Sequence, residues 1–223
     1  MTPSVLRNPV RTRSMGILAA AAAVAMGLAG CTSTQTDDDS SLLETLREQG
    51  SVTVGFAGEA PYSFMEDGEL TGATVALHRE IFSNLGIDTV EGVNADFGAL
   101  IPGLQANRFD VVSAGMSILP ERCEQAAFSE PEFNYTTALM VAEGNPMNLS
   151  DMQSVLDSGA RLATMTGAIE SDYAAGLGID NTQVATPQDG MDAVTSGRAD
   201  VFALTAISLN WMANNNPDAP VEV

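Results

Sequence analysis

The 223-residue chain is predicted to be an α/β protein, on three observations. Short apolar runs such as Val52–Phe56, Val111–Ala114 and Asp200–Leu204 alternate with segments of helical periodicity, the pattern of a mostly parallel sheet with helices on both faces. The hydrophobic fraction of 45% is ample for a packed core. Polar and glycine-rich turns, Gly115-Met116-Ser117 and Thr166-Gly167, fall where strands end, and open α/β sheets bind ligands at the carboxyl ends of their strands.

All 29 acidic residues lie after position 30, and all nine cations are arginine, three of them (Arg7, Arg11, Arg13) in the first thirteen residues. Beyond residue 30, six arginines face 29 acids, a formal net charge of −23. So acidic a chain is a poor partner for nucleic acid or anionic lipid headgroups.

The first thirty residues have signal-peptide form. A basic start precedes an alanine-rich apolar run from Ile17 to Met26, too short for a typical membrane anchor, and Leu28-Ala29-Gly30-Cys31 follows. The tetrapeptide resembles a bacterial lipobox, which implies that Cys31 is lipidated and becomes the mature N-terminus. Residues 1–31 are thus expected to be the lipoprotein signal peptide with its lipobox, and 32–41 (TSTQTDDDSS) a polar, flexible tether. That use of Cys31 leaves Cys123 without a disulfide partner, and it is expected to be a small buried residue.

Along the mature chain, Ser41 and Glu44 have capping-box spacing for a helix that Gly50 ends. Val52–Phe56 is the first strand. Gly68 and Gly72 flank a hairpin-like turn, and Val75, His78, Phe82 and Leu85 share one face of the next helix. Thr89–Val93 is a strand. Asp96 to Gln105 contains a helix, Val111–Ala114 a buried strand, and Pro120 opens a helical turn. Ala126–Phe128 and Asn134–Val141 read as extended, and Glu143–Asn148 as a turn region. A second series follows: a helix from Asp151, strand Arg161–Met165, a helix from Ala168 and strand Gln183–Ala185. It continues with a helix Pro187–Ser196, strand Asp200–Leu204 and a helix from Ala206. His78, the sole histidine, reads as a residue at the edge of the core. Neither a metal site, a cofactor nor a histidine-based triad is expected.

Ser113 through Arg122, a strand ending in small residues followed by a turn and Pro-Glu-Arg, resembles the extracytoplasmic solute-binding proteins of ABC importers, in the amino-acid-type family 3. Glu59-Ala60-Pro61-Tyr62 after the first strand is a second shared motif. The resemblance implies a two-lobed, type II periplasmic-binding-protein-like α/β fold with the ligand cleft between the lobes. It places lobe 1 at 42–142 and lobe 2 at 143–223, with an incomplete C-terminal return to lobe 1. It also implies that Arg122 clamps a ligand carboxylate, a role suited to the paired donors of a guanidinium. Gly167 and Glu170, at the start of a helix, are expected to face the same ligand.

Amino-acid-binding members hold the ligand ammonium with an aspartate where this chain has Thr205, which disfavours an ordinary α-amino acid. The motifs at 55–62, 97–104, 120–123 and 197–200 resemble the ectoine/hydroxyectoine-binding subfamily. That likeness implies an aromatic box with Tyr62 and Phe97 as two walls, Glu59 and Glu170 supplying negative charge, and Ser117 standing where the third aromatic would be. Phe64 is a candidate to compensate.

The expected function is therefore capture of a small zwitterionic compatible solute by a monomeric, lipid-anchored, extracytoplasmic protein that delivers it to a membrane permease. The alternatives are a binding protein for a polar amino acid or another betaine-like solute, a periplasmic dehydratase using Glu59 or Glu170 as its acid, and a receptor's sensor domain. No paired base and proton donor beyond the needs of binding is evident, so an enzyme is not expected.

Overall fold

The computed structural model describes residues 41–223. The signal peptide, Cys31 and the tether up to residue 40 lie outside the described residues.

Helix α1 (Leu42–Gln49) has the expected capping box. The Ser41 hydroxyl accepts from the Glu44 amide, the Glu44 carboxylate accepts from the Ser41 amide, and Gly50 closes the helix at φ 70°. Strand β1 (Ser51–Phe56) follows, then the hairpin β2 (Phe64–Glu66) and β3 (Glu69–Thr71). Next come α2 (Ala73–Asn84), β4 (Thr89–Asn94), a 3-10 turn at Phe97–Ala99, α3 (Leu100–Gln105), β5 (Val111–Val112) and the single-turn α4 (Pro120–Cys123). The first sheet is parallel, in the order β4-β1-β5. Val52 and Val54 of β1 are wholly buried beneath the helices.

The second half runs β6 (Thr137–Ala142), α5 (Met152–Ser158), β7 (Leu162–Met165), α6 (Ile169–Leu177) and β8 (Asn181–Val184). It ends with α7 (Pro187–Thr195), β9 (Val201–Thr205), α8 (Ala206–Asn215) and β10 (Val221–Glu222). The second sheet is ordered β10-β6-β9-β7-β8, with β7 parallel to β8 and β9 and with β6 antiparallel to β9 and β10.

One local device recurs in both sheets. The Asp110 carboxylate accepts from the Thr53 amide at 2.9 Å while its own amide donates to the Thr53 carbonyl at 2.8 Å, setting β5 against β1. Asp200 does the same to Arg161 for β9 and β7, at 2.8 Å each way. Each aspartate lies in an Arg-x-Asp-Val sequence, at 108–111 and 198–201. An aromatic ring packs on a helix glycine in both: Phe109 on Gly103 of α3, and Phe202 on Gly190 of α7, where a Cβ would stand 2.4 Å from the ring.

The structure bears on four expectations. Thr137–Ala142, which the expected boundary leaves with lobe 1, pairs in the second sheet, and the turn at 143–148 follows it. The crossing is made by irregular chain between Cys123 and Thr137, so Ala126–Phe128 forms no strand. Cys123 is exposed, since in a single helical turn Arg122 takes the inward direction. His78 also has partners. Its Nδ1 lies 2.9 Å from Ser113 Oγ and its Nε2 3.1 Å from Glu132 Oε1. The Ser113 hydroxyl donates to Thr74 Oγ1, which donates to the Tyr62 carbonyl. Ser113 is fully buried and its one proton is committed, so this serine–histidine–glutamate array braces α2 against β5 and leaves no free nucleophile.

Candidate functional site

One small cavity gathers residues from the segments after β1, β4, β5 and β7 and from the end of β9. Glu59, Phe97, Ser117, Arg122, Glu170 and Thr205 all line it. Tyr62 and Gly167 adjoin through hydrogen bonds: the Tyr62 hydroxyl donates to Thr205 Oγ1 at 3.4 Å, and the Gly167 carbonyl accepts from Arg122 Nη2 at 2.9 Å. The structure thus brings all eight predicted residues together. They are packed tightly, leaving about 10 Å³, no more than one water would fill. A second space of about 460 Å³, beside β5, is lined by residues 127–135 and His78.

Arg122 is placed by α4, whose Pro120 suits the first helical position. Its Nη1 donates to the Ser117 carbonyl at 3.1 Å and its Cζ stands 5.7 Å from the Phe97 ring centre. Burial lowers its pKa, opposed by the negative groups around it. Of its donors, one reaches across to the second half, so in this arrangement the guanidinium is held by protein carbonyls.

Glu59, in the loop after β1 that contains the cis Ala60–Pro61 bond, is 3% exposed. Its Oε1 accepts from Ser208 Oγ at 2.6 Å and from Thr205 Oγ1 at 3.4 Å. Burial pushes its pKa up to about 7; the charge of Glu170 adds to that, and the two hydroxyls oppose it. Glu170, 1% exposed in the first turn of α6, accepts from Thr137 Oγ1 at 2.8 Å. Burial raises its pKa too, against the pull of Thr137, its own backbone amide and Arg122. Tyr62 is pushed up to about 12, chiefly by burial.

Three contributors were absent from the sequence reading. Ser208 grips Glu59 from three residues beyond Thr205, which caps α8 by accepting from the Ser208 amide; that N-cap spacing was a usable signal. Thr137, at the start of β6, holds Glu170. Tyr135 lines the cavity from irregular chain, where no periodicity marks it. Phe64, the suggested compensating aromatic, packs on Trp211 at 5.3 Å instead and does not line the cavity.

Chemically, the site offers one guanidinium, two buried carboxyls whose protons are held unusually tightly, and aromatic faces. Such a set complements a compact molecule carrying both a carboxylate and a cation. Among the described residues no cluster of metal-ligating side chains occurs, and no helix is long and apolar enough to cross a membrane.

The model of the bacterial extracellular solute-binding proteins, family 3, matches residues 52–217. The chain belongs to this family. Among the relatives of this family-3 protein is a probable amino-acid ABC transporter periplasmic-binding protein of Sinorhizobium fredii (strain NBRC 101917 / NGR234). It is 39% identical over 170 residues, 74% of this chain and 56% of that protein, so the chain spans little more than half of it. A membrane-bound lytic murein transglycosylase F of Maricaulis maris (strain MCS10) is 27% identical over 215 residues, 93% of this chain and 46% of that enzyme. The crystal structure of EhuB in complex with hydroxyectoine matches with a TM-score of 0.77 and 34% identity, over 81% of this chain and 72% of EhuB. The fold is that of the type II periplasmic-binding proteins.

Proposed function

We propose that this family-3 protein is the solute-capturing component of an ABC importer, and that its solute is ectoine or hydroxyectoine. The observation that carries the reading is the meeting of Arg122, Glu59, Glu170 and Phe97 in one cavity between the two sheets. Arg122 takes the solute carboxylate, exchanging the Gly167 carbonyl for a charged partner. The delocalised cation lies against aromatic faces, each contributing about 0.5–2 kcal/mol, with Glu59 and Glu170 balancing its charge. The likeness to the hydroxyectoine complex supports this choice.

With so little space left in the cavity, the two halves must part to admit a solute and close again around it. We assign the lobes to the two sheets, with the crossing between Cys123 and Thr137. A lipid on Cys31 tethers the monomer outside the cell membrane, and the closed form docks on the permease.

A second reading, a polar amino acid, is favoured by one observation. Thr205 replaces an acid, yet its hydroxyl stands 3.4 Å from the Glu59 carboxyl, which a bound ammonium would draw into its charged form from the opposite side. The S. fredii relative agrees with that reading. An enzyme would need a base and a proton donor facing a reacting carbon. Glu59 or Glu170, whose protons are held by burial, would have to serve as the acid, and turnover of a prephenate-like substrate would establish it.

Calorimetric titration of the full chain with ectoine, hydroxyectoine, glycine betaine, arginine and glutamine tests the proposal. Saturable binding of ectoine or hydroxyectoine above the others is the expected result. Preference for arginine or glutamine would transfer the chain to the second reading. Binding of none by a folded chain would overturn both.

A further inference from the structure

Ser117 occupies the turn that would carry a third aromatic wall, and its side chain is too small to be one. The structure puts a ring there by another route. Tyr135, eighteen residues further on, lines the same cavity beside Arg122, Phe97 and Glu170. Its ring centre lies 5.9 Å from that of Tyr62, tilted by 56°. Its hydroxyl donates to the Gly115 carbonyl at 3.1 Å. A phenol has one proton, so the very close contact with Ser117 is a bond in which Ser117 Oγ donates to the Tyr135 oxygen. The tip of the ring is therefore fixed at two points on the 115–117 turn.

Resting on the reading of this cavity as the solute site, we propose that Ser117 and Tyr135 together make its third wall, Tyr135 supplying the ring and Ser117 the space and the hydroxyl that position it. Because Ser117 Oγ already touches the phenol oxygen, a large side chain at 117 that follows the same direction runs into the tip of Tyr135. The two positions therefore exclude each other as aromatics. Tyr135 touches the solute through its face, and Ser117 acts through Tyr135 as a positioning residue. The acidic groups Glu59 and Glu170 lie near enough to act on the Tyr135 hydroxyl, so the ring also borders the negative part of the cavity, where a cation belongs.

A residue swap in the full chain tests this, read by ectoine titration and by thermal melting. Tyr135→Ser is expected to weaken binding by about 3- to 30-fold, the range of one lost cation–π face. Tyr135→Phe keeps the face and loses only the tip bonds, so its loss should be the smaller. Ser117→Phe alone should lower both affinity and melting temperature through the clash. The double variant Ser117→Phe/Tyr135→Ser should recover the melting temperature and most of the affinity, because one aromatic again fills the wall. Wild-type affinity in Tyr135→Ser would overturn the proposal while leaving the importer reading intact, as would a double variant no better than its worse parent. If the wild type bound no solute, the importer reading would fall on its own. The melting data would still decide the pair: non-additive recovery supports mutual exclusion, and additive losses overturn it.

Discussion

The turns entering β5 and β9 are built alike and the turns leaving them are not. Both strands are entered through Arg-x-Asp-Val, with the aspartate bracketing the backbone of a neighbouring strand's residue, Thr53 in one sheet and Arg161 in the other. Both halves set an aromatic ring on a helix glycine. Beyond the strands they part. After β5 the chain wanders through Gly115 and Ser117 before α4 delivers Arg122, whereas β9 passes directly into α8 and presents Thr205 and Ser208. One exit brings a cation, the other a pair of hydroxyls for Glu59. A repeated scaffold can thus hold two chemistries, because the entry sets register and the exit alone reaches the cavity.

The largest expected effect tests whether the two rings are equally structural. Phe202, wholly buried on β9 between two paired strands, should cost about 3–5 kcal/mol on replacement by alanine. Phe109 enters the edge strand β5, where neighbours can collapse into the gap, and Phe109→Ala should cost clearly less. Urea unfolding measures both, and equal losses would erase the distinction between a firm second sheet and a softer first one.

Next in size is the pH response of Glu59. In the folded chain it keeps its proton until about pH 7, against an ordinary value of 4.5. The contribution of this group to stability is therefore fully present in acid and falls as pH rises between those values, by up to about 3 kcal/mol, with no further change above pH 7. Glu59→Gln should remove that slope, so its unfolding midpoint should gain on the wild type between pH 5 and pH 8. Parallel curves would show that Ser208 and Thr205 hold the carboxylate charged.

Arg122→Ala should weaken solute binding roughly 30-fold, about 2 kcal/mol, for loss of a charge-assisted contact. Calorimetry would show it, and undiminished affinity would sink the carboxylate clamp. Smallest are the two aspartates. Asp110→Asn retains an acceptor for the Thr53 amide and should cost under about 1 kcal/mol. Asp200→Asn also separates a charge from the exposed Arg161, so its effect on melting should shrink at roughly 0.5 M salt while that of Asp110→Asn does not.

Much of this was legible in the chain. The Ser41 cap, the Gly50 stop, the strand cores and the helices of the second half follow from spacing and from glycine and proline positions, all local signals. The eight expected site residues do meet. What escaped depends on contacts between distant residues. Ser208 reaches Glu59 across 149 positions, and Glu132 meets His78 across 54. Tyr135 sits in irregular chain, where no period shows which way a side chain faces. The apolar pattern of β6 is equally suited to either sheet, and only its pairing with β9 shows which one it joins.

Gly98 and Gly167 meet main chain to main chain, one from each half. A Cβ on Gly167 would stand 2.8 Å from the Gly98 Cα, and one on Gly98 would stand 3.4 Å from the Thr166 carbonyl oxygen. In the proposed closure the two halves would therefore meet on main chain rather than on side chains that can swing aside. The approach is gauged chiefly by the missing methyl group of Gly167, where an alanine would act as a shim and also strain a backbone at φ 76°; at Gly98 a methyl group would make little more than ordinary contact. On that proposal the thickness of solute the site accepts is set by main chain as well as by the side chains around it, and one carbon atom at position 167 would reset it.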